Sequence, residues 1–493
     1  MMASITNYPS PAQIVESKDT QEVIVVIVPF LAQSHINLLF HMSRLVASYD
    51  LPVYFLGFSI DIVTAKQRIQ GWNPTDYPTL RFHEFPSPPS YQSNTNPTRE
   101  FGSFTDLLAN TMKAAVDLRG PIRELLWELS GKCRRLVVVG DALMATAIQD
   151  VTSIPNAEAY NFYVGSAFHD ASIIWEASRR VLHIPPFLWK LIGKLVLPSG
   201  AVIPDGLPTT QSCFPANFLK FIVDQRANHK FFKGHLFDAC RAIESPYLDL
   251  LRRCYRLLRR GNVWGIGPLN PVVTQSEISN NNSTDRHSSL GWLDMQPPKS
   301  VIFVSFGTLT VLSDDQLHEL AVGLEQSGQR YIWAVKDVLK GAKGWIGLPE
   351  GYEERVKGRG LILRDWVPQL EILDHWSTGG FLTHCGWNSC MESICRGVPM
   401  ATWPIQYDQA RNAVLMTEVL KIGIAVKDWE RREEVITAAA IEAAVRRLIG
   451  SAEGEELRVK AREMGRAVKQ SVMEGGVSRV EMDTFIAHIT RKC

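Results

Sequence analysis

The chain alternates between short, unbroken apolar runs and longer segments whose apolar residues recur every three or four positions. In the first half, VIVVIV (23–28), VYFLGF (53–58), RLVVVGD (135–141) and AEAYNFY (157–163) predict buried strands, and 34–48 predicts a helix after the first of them. In the second half, VIFVSF (301–306), YIWAVK (331–336), LILRDW (361–366), GGFLTH (379–384) and VPMATW (398–403) continue the series. Between the first two of these, Leu317, Leu320, Ala321 and Leu324 keep helical spacing, behind an expected capping box of Ser313 and Gln316 and ahead of a stop at Gly328. A strand with one wet face would alternate apolar and polar residues. Strands that are apolar throughout and separated by helices belong to parallel sheets covered on both faces, so the expected class is α/β.

A length of 493 residues exceeds one ordinary core and predicts two domains. The stretch GPLNPVVTQSEISNNNSTDRHSS (267–289) has little to bury and reads as a linker. A ligand is expected in the cleft between the sheets, outside the carboxyl ends of their strands. The 52 basic and 51 acidic residues nearly cancel, which argues against nucleic acid as a partner. No apolar run is long enough to span a bilayer, and VIVVIV stops at Pro29. Glu16, Lys18 and Asp19 do not suit a signal peptide, so a cytoplasmic location is expected. Eight dispersed cysteines fit reduced thiols, and the sequons at Asn281 and Asn282 then carry no weight.

The run GGFLTH ends at His384, Cys385 to Trp387 turn the chain, and Asn388 and Ser389 open a helix that Gly397 and Pro399 close. Free N–H groups at a helix start, beside His, Asn and Ser side chains, suit a phosphate. Glu392, one turn in, is placed to accept from a ribose diol. Trp366 offers a flat face to a base, Asp408 and Gln409 offer hydrogen bonds to sugar hydroxyls, and Thr308 after SFGT offers a second phosphate contact. Each has a plainer reading as well: Asn–Ser as a simple cap, Trp366 as packing. The five-residue steps between Cys385, Cys390 and Cys395 do not match compact zinc spacing. Neither GxGxxG nor GxxxxGK[ST] occurs, which disfavours a dehydrogenase or a P-loop enzyme. In the first half, VIVVIV leads through PFLAQ to Ser34 and His35 at a helix start, where the dipole disfavours the charged imidazole. Asp141, ending RLVVVGD, is the candidate to orient the ring. The alternative is that His35 is merely a helix-start residue and Asp141 a cap. His41, further along the helix, reads as packing.

Together these residues resemble one family. The segment 366–409, with WVPQ, HCGWNS, Glu392, GVPM and a closing DQ, is similar to the plant secondary product glycosyltransferase box of the UDP-dependent glycosyltransferases, and WLDMQPPKSVIFVSFGT (292–308) resembles that family's entry into its second domain. The resemblance implies the GT-B fold, two Rossmann-like domains facing across a cleft. It implies an acceptor-binding domain over 1–266, the linker 267–289, a UDP-sugar-binding domain over 290–470 and a C-terminal helix in 471–493 packing back on the first domain. It further implies that Trp366 stacks on uracil with the Val367 backbone reading its edge, and that Gln369 and Glu392 hold the ribose. His384, Asn388, Ser389 and Thr308 would hold the diphosphate, and Trp387, Asp408 and Gln409 would contact the sugar. His35 would be the general base and Asp141 its partner.

The reaction that the resemblance implies is an inverting transfer from a UDP-sugar to a small, hydrophobic, hydroxylated acceptor, by a monomer that uses no metal or cofactor. UDP-glucose is the expected donor, because the family's glucose users usually carry Gln at the position of Gln409. VPFLAQSHINLLFHMSRL (28–45) and YNFYVGSAFHD (160–170) look most like the branch that glucosylates the cytokinin zeatin, with relatives acting on flavonoids. The stretch 82–97 reads either as an acceptor loop or as a plain surface loop. Three residues depart from the family's pattern: Ser34 for Gly, Leu38 for Pro, and Val164 for a Ser or Thr near the sugar phosphate. Rival readings are a pseudoenzyme that binds nucleotide sugar or partner enzymes without turnover, and C-glycosylation or sugar-on-sugar transfer. Were His35 not the base, His41 and His169 would be the next candidates.

Overall fold

The computed structural model describes residues 21–68, 72–88, 91, 104–182, 197–270, 286–307, 310, 312–335 and 347–492. Among them are two parallel sheets. The first contains β1 (Gln21–Val28), β2 (Val53–Phe58), β3 (Leu80–Phe85), β4 (Cys133–Asp141), β5 (Ala157–Tyr163), β6 (Gly234–Phe237) and β7 (Asn262–Gly265), in the order β3-β2-β1-β4-β5-β6-β7. The second contains β8 (Val301–Ser305), β9 (Arg330–Ala334), β10 (Gly360–Leu363), β11 (Thr378–Thr383), β12 (Met400–Thr402) and β13 (Gly423–Ala425), in the order β10-β9-β8-β11-β12-β13. Among the helices are α1 (Gln33–Ala47), α2 (Ala167–Leu182), α3 (Asp314–Ser327), α4 (Trp387–Arg396), α5 (Gln409–Val414) and α6 (Val477–Ile489).

The run at β1 is apolar throughout because both of its faces are buried. Val23, Val25 and Ile27 join one core with Ile36, Phe40 and Phe55, while Ile24, Val26 and Val28 join another with Leu125 and Ile148. Helix α6, from the far end of the chain, returns to the first of these cores. The Phe485 ring lies edge-on to Tyr160 at 5.4 Å and near Trp264 at 5.3 Å, and the Arg135 guanidinium donates to the Ile489 carbonyl at 2.8 Å. Strand order reverses between β1 and β4 and again between β8 and β11, which opens a crevice at the carboxyl ends of each pair. His35 follows β1, Asp141 ends β4, and His384 follows β11.

Several local expectations shift. Ser313 caps α3 through the Gln316 amide N–H at 3.3 Å, but the Gln316 side chain does not complete a capping box. It pairs instead with the Ile436 backbone, donating to its carbonyl at 3.0 Å and accepting from its N–H at 2.9 Å. The run 361–366 is strand only to Leu363, so Trp366 leaves the sheet for the cleft. Residues 82–85, expected in a loop, belong to edge strand β3, and Tyr91 is buried with its hydroxyl donating to Asp61 at 2.8 Å. No described residue of 82–97 lines the central cavity, and 89, 90 and 92–97 lie outside the described residues. Of the linker stretch, 271–285 lies outside them too, and Ser288 already begins a helix.

Candidate active site

A cavity of about 550 Å³ lies between the sheets and receives side chains from both. On the first-sheet side, α1 starts at Gln33 and presents His35 to it. The ring Nδ1 lies 2.7 Å from Asp141 Oδ2, and the other carboxylate oxygen accepts from the Leu143 N–H at 2.9 Å. An ionised carboxylate only accepts, so Nδ1 carries the proton and Nε2 is left as the basic nitrogen. Asp141 is 1% exposed and His35 20%, so a buried carboxylate lies beside an accessible imidazole. Ser34 does not strain this turn: it lies inside α1 and is not among the residues with positive φ. Leu38 is fully buried in the same helix, and Val164 lines the cavity without offering a hydroxyl.

On the second-sheet side, β11 ends and Cys385 turns the chain in the left-handed region (φ +65°) before α4 begins at Trp387. The His384 imidazole is held between two glycines. A Cβ on Gly307 (φ +75°) would lie 2.7 Å from the ring, and one on Gly386 would lie 2.6 Å from its Nε2. These glycines belong to the SFGT and HCGWNS motifs, but the need for them appears only in three dimensions. Gln369, at the start of a separate short helix (Gln369–Asp374), donates through Nε2 to Ser389 Oγ in the first turn of α4 at 3.2 Å and to Glu392 Oε2 one turn further on at 2.5 Å. Burial pushes the Glu392 carboxyl up to about 7, against the lowering pull of the Gln369 hydrogen bond. Trp366 is 51% exposed at the cavity rim, and Val367 lines the cavity beside it. Thr308 lies outside the described residues; its neighbour Gly307 lines the cavity.

Two residues of the turn are already engaged across the cleft. Trp387 is buried, and its indole N–H donates to the Asp238 carbonyl at 2.7 Å. What it can offer a sugar is an apolar surface or its backbone. Asn388 Nδ2 donates to the Ser34 carbonyl at 3.1 Å, which joins α4 to α1 next to His35. Gln409 accepts through Oε1 from the Ile405 and Gln406 N–H groups at 3.0 and 2.9 Å, so its amide is oriented with Nε2 as the remaining donor. Burial pushes the Asp408 carboxyl up to about 6, while an Asn412 hydrogen bond acts the other way.

The first-sheet wall is largely apolar, with Phe30, Leu143, Phe214, Phe218 and Ile222, and ends in a polar pair, Asp170 and Arg226, 3.5 Å apart. His41 and His169 also reach this cavity. Burial pushes both imidazoles down, His41 to about 3, and His169 Nδ1 has no hydrogen-bond partner among the described residues. No group of three or more His, Cys, Asp or Glu placed to hold a metal ion occurs among the described residues. No described helix is long and apolar enough to cross a membrane.

Two Rossmann-like sheets with a shared cleft define a GT-B architecture. The family described as "Glycosyltransferase, N-terminal domain" matches residues 21–186 and 195–271, and the one described as "UDP-glucoronosyl and UDP-glucosyl transferase" matches 257–456. The chain is 42% identical to zeatin O-glucosyltransferase of Phaseolus lunatus, over 95% of this chain and 97% of that one. It is 43% identical to zeatin O-xylosyltransferase of Phaseolus vulgaris, over 96% and 99%. Among solved structures, a glycosyltransferase of Siraitia grosvenorii in complex with UDP superposes with a TM-score of 0.71 at 25% identity, covering 95% of this chain and 100% of that one. The chain belongs to the UDP-dependent glycosyltransferase family, and it is a UDP-sugar-using transferase.

Proposed function

We propose that this enzyme transfers glucose from UDP-glucose, with inversion, to a hydroxyl of a small, largely apolar acceptor of the zeatin or phenolic type. The observation that carries the proposal is the His35–Asp141 pair, which fixes the imidazole tautomer in the same cavity that receives the start of α4. In this reading His35 Nε2 takes the proton of the acceptor hydroxyl. The oxygen then bonds to the anomeric carbon, and the bond from that carbon to the phosphate oxygen breaks. UDP leaves from the opposite face, and Asp141 stabilises the imidazolium. The helix start at α4 with His384, Ser389 and Asn388, together with Thr308 of the SFGT motif, would offset the charge of the leaving diphosphate with dipoles and neutral donors, so no metal is required. Trp366 and Val367 would hold uracil, Gln369 and Glu392 the ribose, and Trp387, Asp408 and Gln409 the sugar.

The two Phaseolus relatives are nearly equal in identity and are named for different sugars, so the donor is argued from the site. Gln409 offers a fixed N–H donor and Asp408 an acceptor, a pair suited to neighbouring hydroxyls of glucose. The apolar wall with one polar end supports a planar acceptor carrying a few polar atoms. Residues 1–266 would form the acceptor domain and 290–470 the donor domain, in a monomeric cytoplasmic protein. The retained pair and the engaged donor-side residues favour turnover over a binding-only role. Competition among UDP-glucose, UDP-xylose, UDP-galactose and UDP-glucuronate, with zeatin and a phenolic panel as acceptors and products read by mass spectrometry, tests this. A predominance of O-glucosides is expected. A predominance of another sugar, or of carbon-linked products, would overturn it.

A further inference from the structure

Four residues after Asp408, Asn412 is completely buried and uses every polar atom of its side chain. Its Nδ2 donates to Asp408 Oδ2 at 2.7 Å and to the Cys385 carbonyl at 3.1 Å, and its Oδ1 accepts from Ser166 Oγ at 3.1 Å. Ser166 in turn accepts from the His169 N–H at 3.0 Å, which caps the start of α2. The acceptors on one side and the hydroxyl donor on the other leave a single orientation for the amide. The neighbouring Arg411, also buried, reaches α2 independently. It donates to Ser172 Oγ at 2.8 Å, to Glu176 Oε2 at 2.5 Å and to the Pro208 carbonyl at 3.0 Å. Helix α5 belongs to the second sheet by sequence, yet two consecutive side chains anchor it to a helix of the first.

We propose that Asn412 is a positioning residue for sugar transfer: it holds the Asp408 carboxylate against the donor sugar and, through Ser166, ties that carboxylate to the helix that lines the acceptor side. This rests on Asp408 contacting the sugar. Donor and acceptor halves are then brought into register by one amide. An asparagine is required because it donates twice and accepts once. Asn412→Asp keeps the shape, but it removes both donated hydrogen bonds and sets a second carboxylate against Asp408. A purely structural role would instead lower stability and weaken UDP and UDP-glucose alike.

Calorimetry with UDP and with UDP-glucose separates the two on the full-length protein. For Asn412→Asp, the Kd for UDP-glucose is expected to rise about 10–100-fold, the worth of one charge-assisted hydrogen bond, and that for UDP no more than about threefold. Parallel losses, or no loss, would overturn the proposal. Ser166→Ala provides a milder variant should Asn412→Asp fail to fold. Its KM for UDP-glucose should rise about 3–10-fold in the parent and no further in an Asp408→Ala background, because coupled residues are not additive. Additive effects would contradict the relay. If the parent binds UDP but not UDP-glucose, the donor reading fails and the proposal falls with it. If the parent binds both and the variants lose them equally, only the proposal falls.

Discussion

His35 Nδ1 and Asp141 Oδ2 meet at 2.7 Å although 106 positions separate them in the chain, because β1 and β4 are neighbours in the sheet and both end at the same crevice. An asparagine at 141 retains the shape but offers an N–H or a weaker acceptor to the ring. Asp141→Asn is therefore expected to lower kcat by about 10²–10⁴-fold while the Kd for UDP, read by calorimetry, changes less than about twofold. A loss confined to UDP affinity would show that the pair serves binding.

The two glycines around His384 make a separate prediction. Gly307→Ala places a methyl 2.7 Å from the imidazole at a residue whose φ is +75°. The ring must move or the turn must relax, so UDP affinity should fall at least about tenfold, as expected for losing a hydrogen bond to a charged group. His384→Ala and Ser389→Ala should weaken UDP binding with the fold intact by circular dichroism. UDP binding at parent strength in all three would place the diphosphate elsewhere.

Glu392 predicts a pH dependence. Burial holds its carboxyl at about 7 in the free protein, and the ribose diol requires an acceptor. Binding selects the ionised form, so affinity should climb as pH rises toward about 7 and then level off. UDP should bind about tenfold more weakly at pH 6 than at pH 8, from the fraction of carboxylate available. Glu392→Gln should remove that dependence. A slope that persists unchanged in the variant would assign it to another group.

Stability has its own titration. Burial raises Glu244 to about 8, with the Phe168 N–H donating to it at 3.0 Å. The folded state keeps a proton that the unfolded chain releases near pH 4.5, so this group removes stability as pH climbs from there to about 8. Glu244→Gln retains the acceptor and cannot ionise. Its Tm should match the parent near pH 5 and exceed it at pH 8. Equal Tm at both values would contradict the assignment.

The fold was legible wherever burial makes a strand uniformly apolar, as at β1, β4 and β8. It was not legible at β6, β7 and β13, which have three or four residues and no room for a pattern, nor at β3, whose edge position leaves polar residues in LRFHEF. The candidate site was legible because its residues follow strand ends in recognisable motifs. The sequence could not reveal that Trp387 and Asn388 reach across the cleft, or that Ser34 sits within a helical turn rather than straining it. Nor did it point to Asn412, since a buried asparagine past the end of a motif resembles any helical polar residue until its three partners are known.

The most direct test of the central claim is turnover by His35→Ala measured beside its UDP affinity. With UDP-glucose and zeatin, the parent should release UDP and form a glucoside. His35→Ala should do so about 10²–10⁴-fold more slowly with its Kd for UDP within about twofold of the parent's. Near-parent turnover by His35→Ala on a weakly acidic hydroxyl, or a parent that binds UDP-glucose without releasing UDP across the acceptor panel, would contradict it.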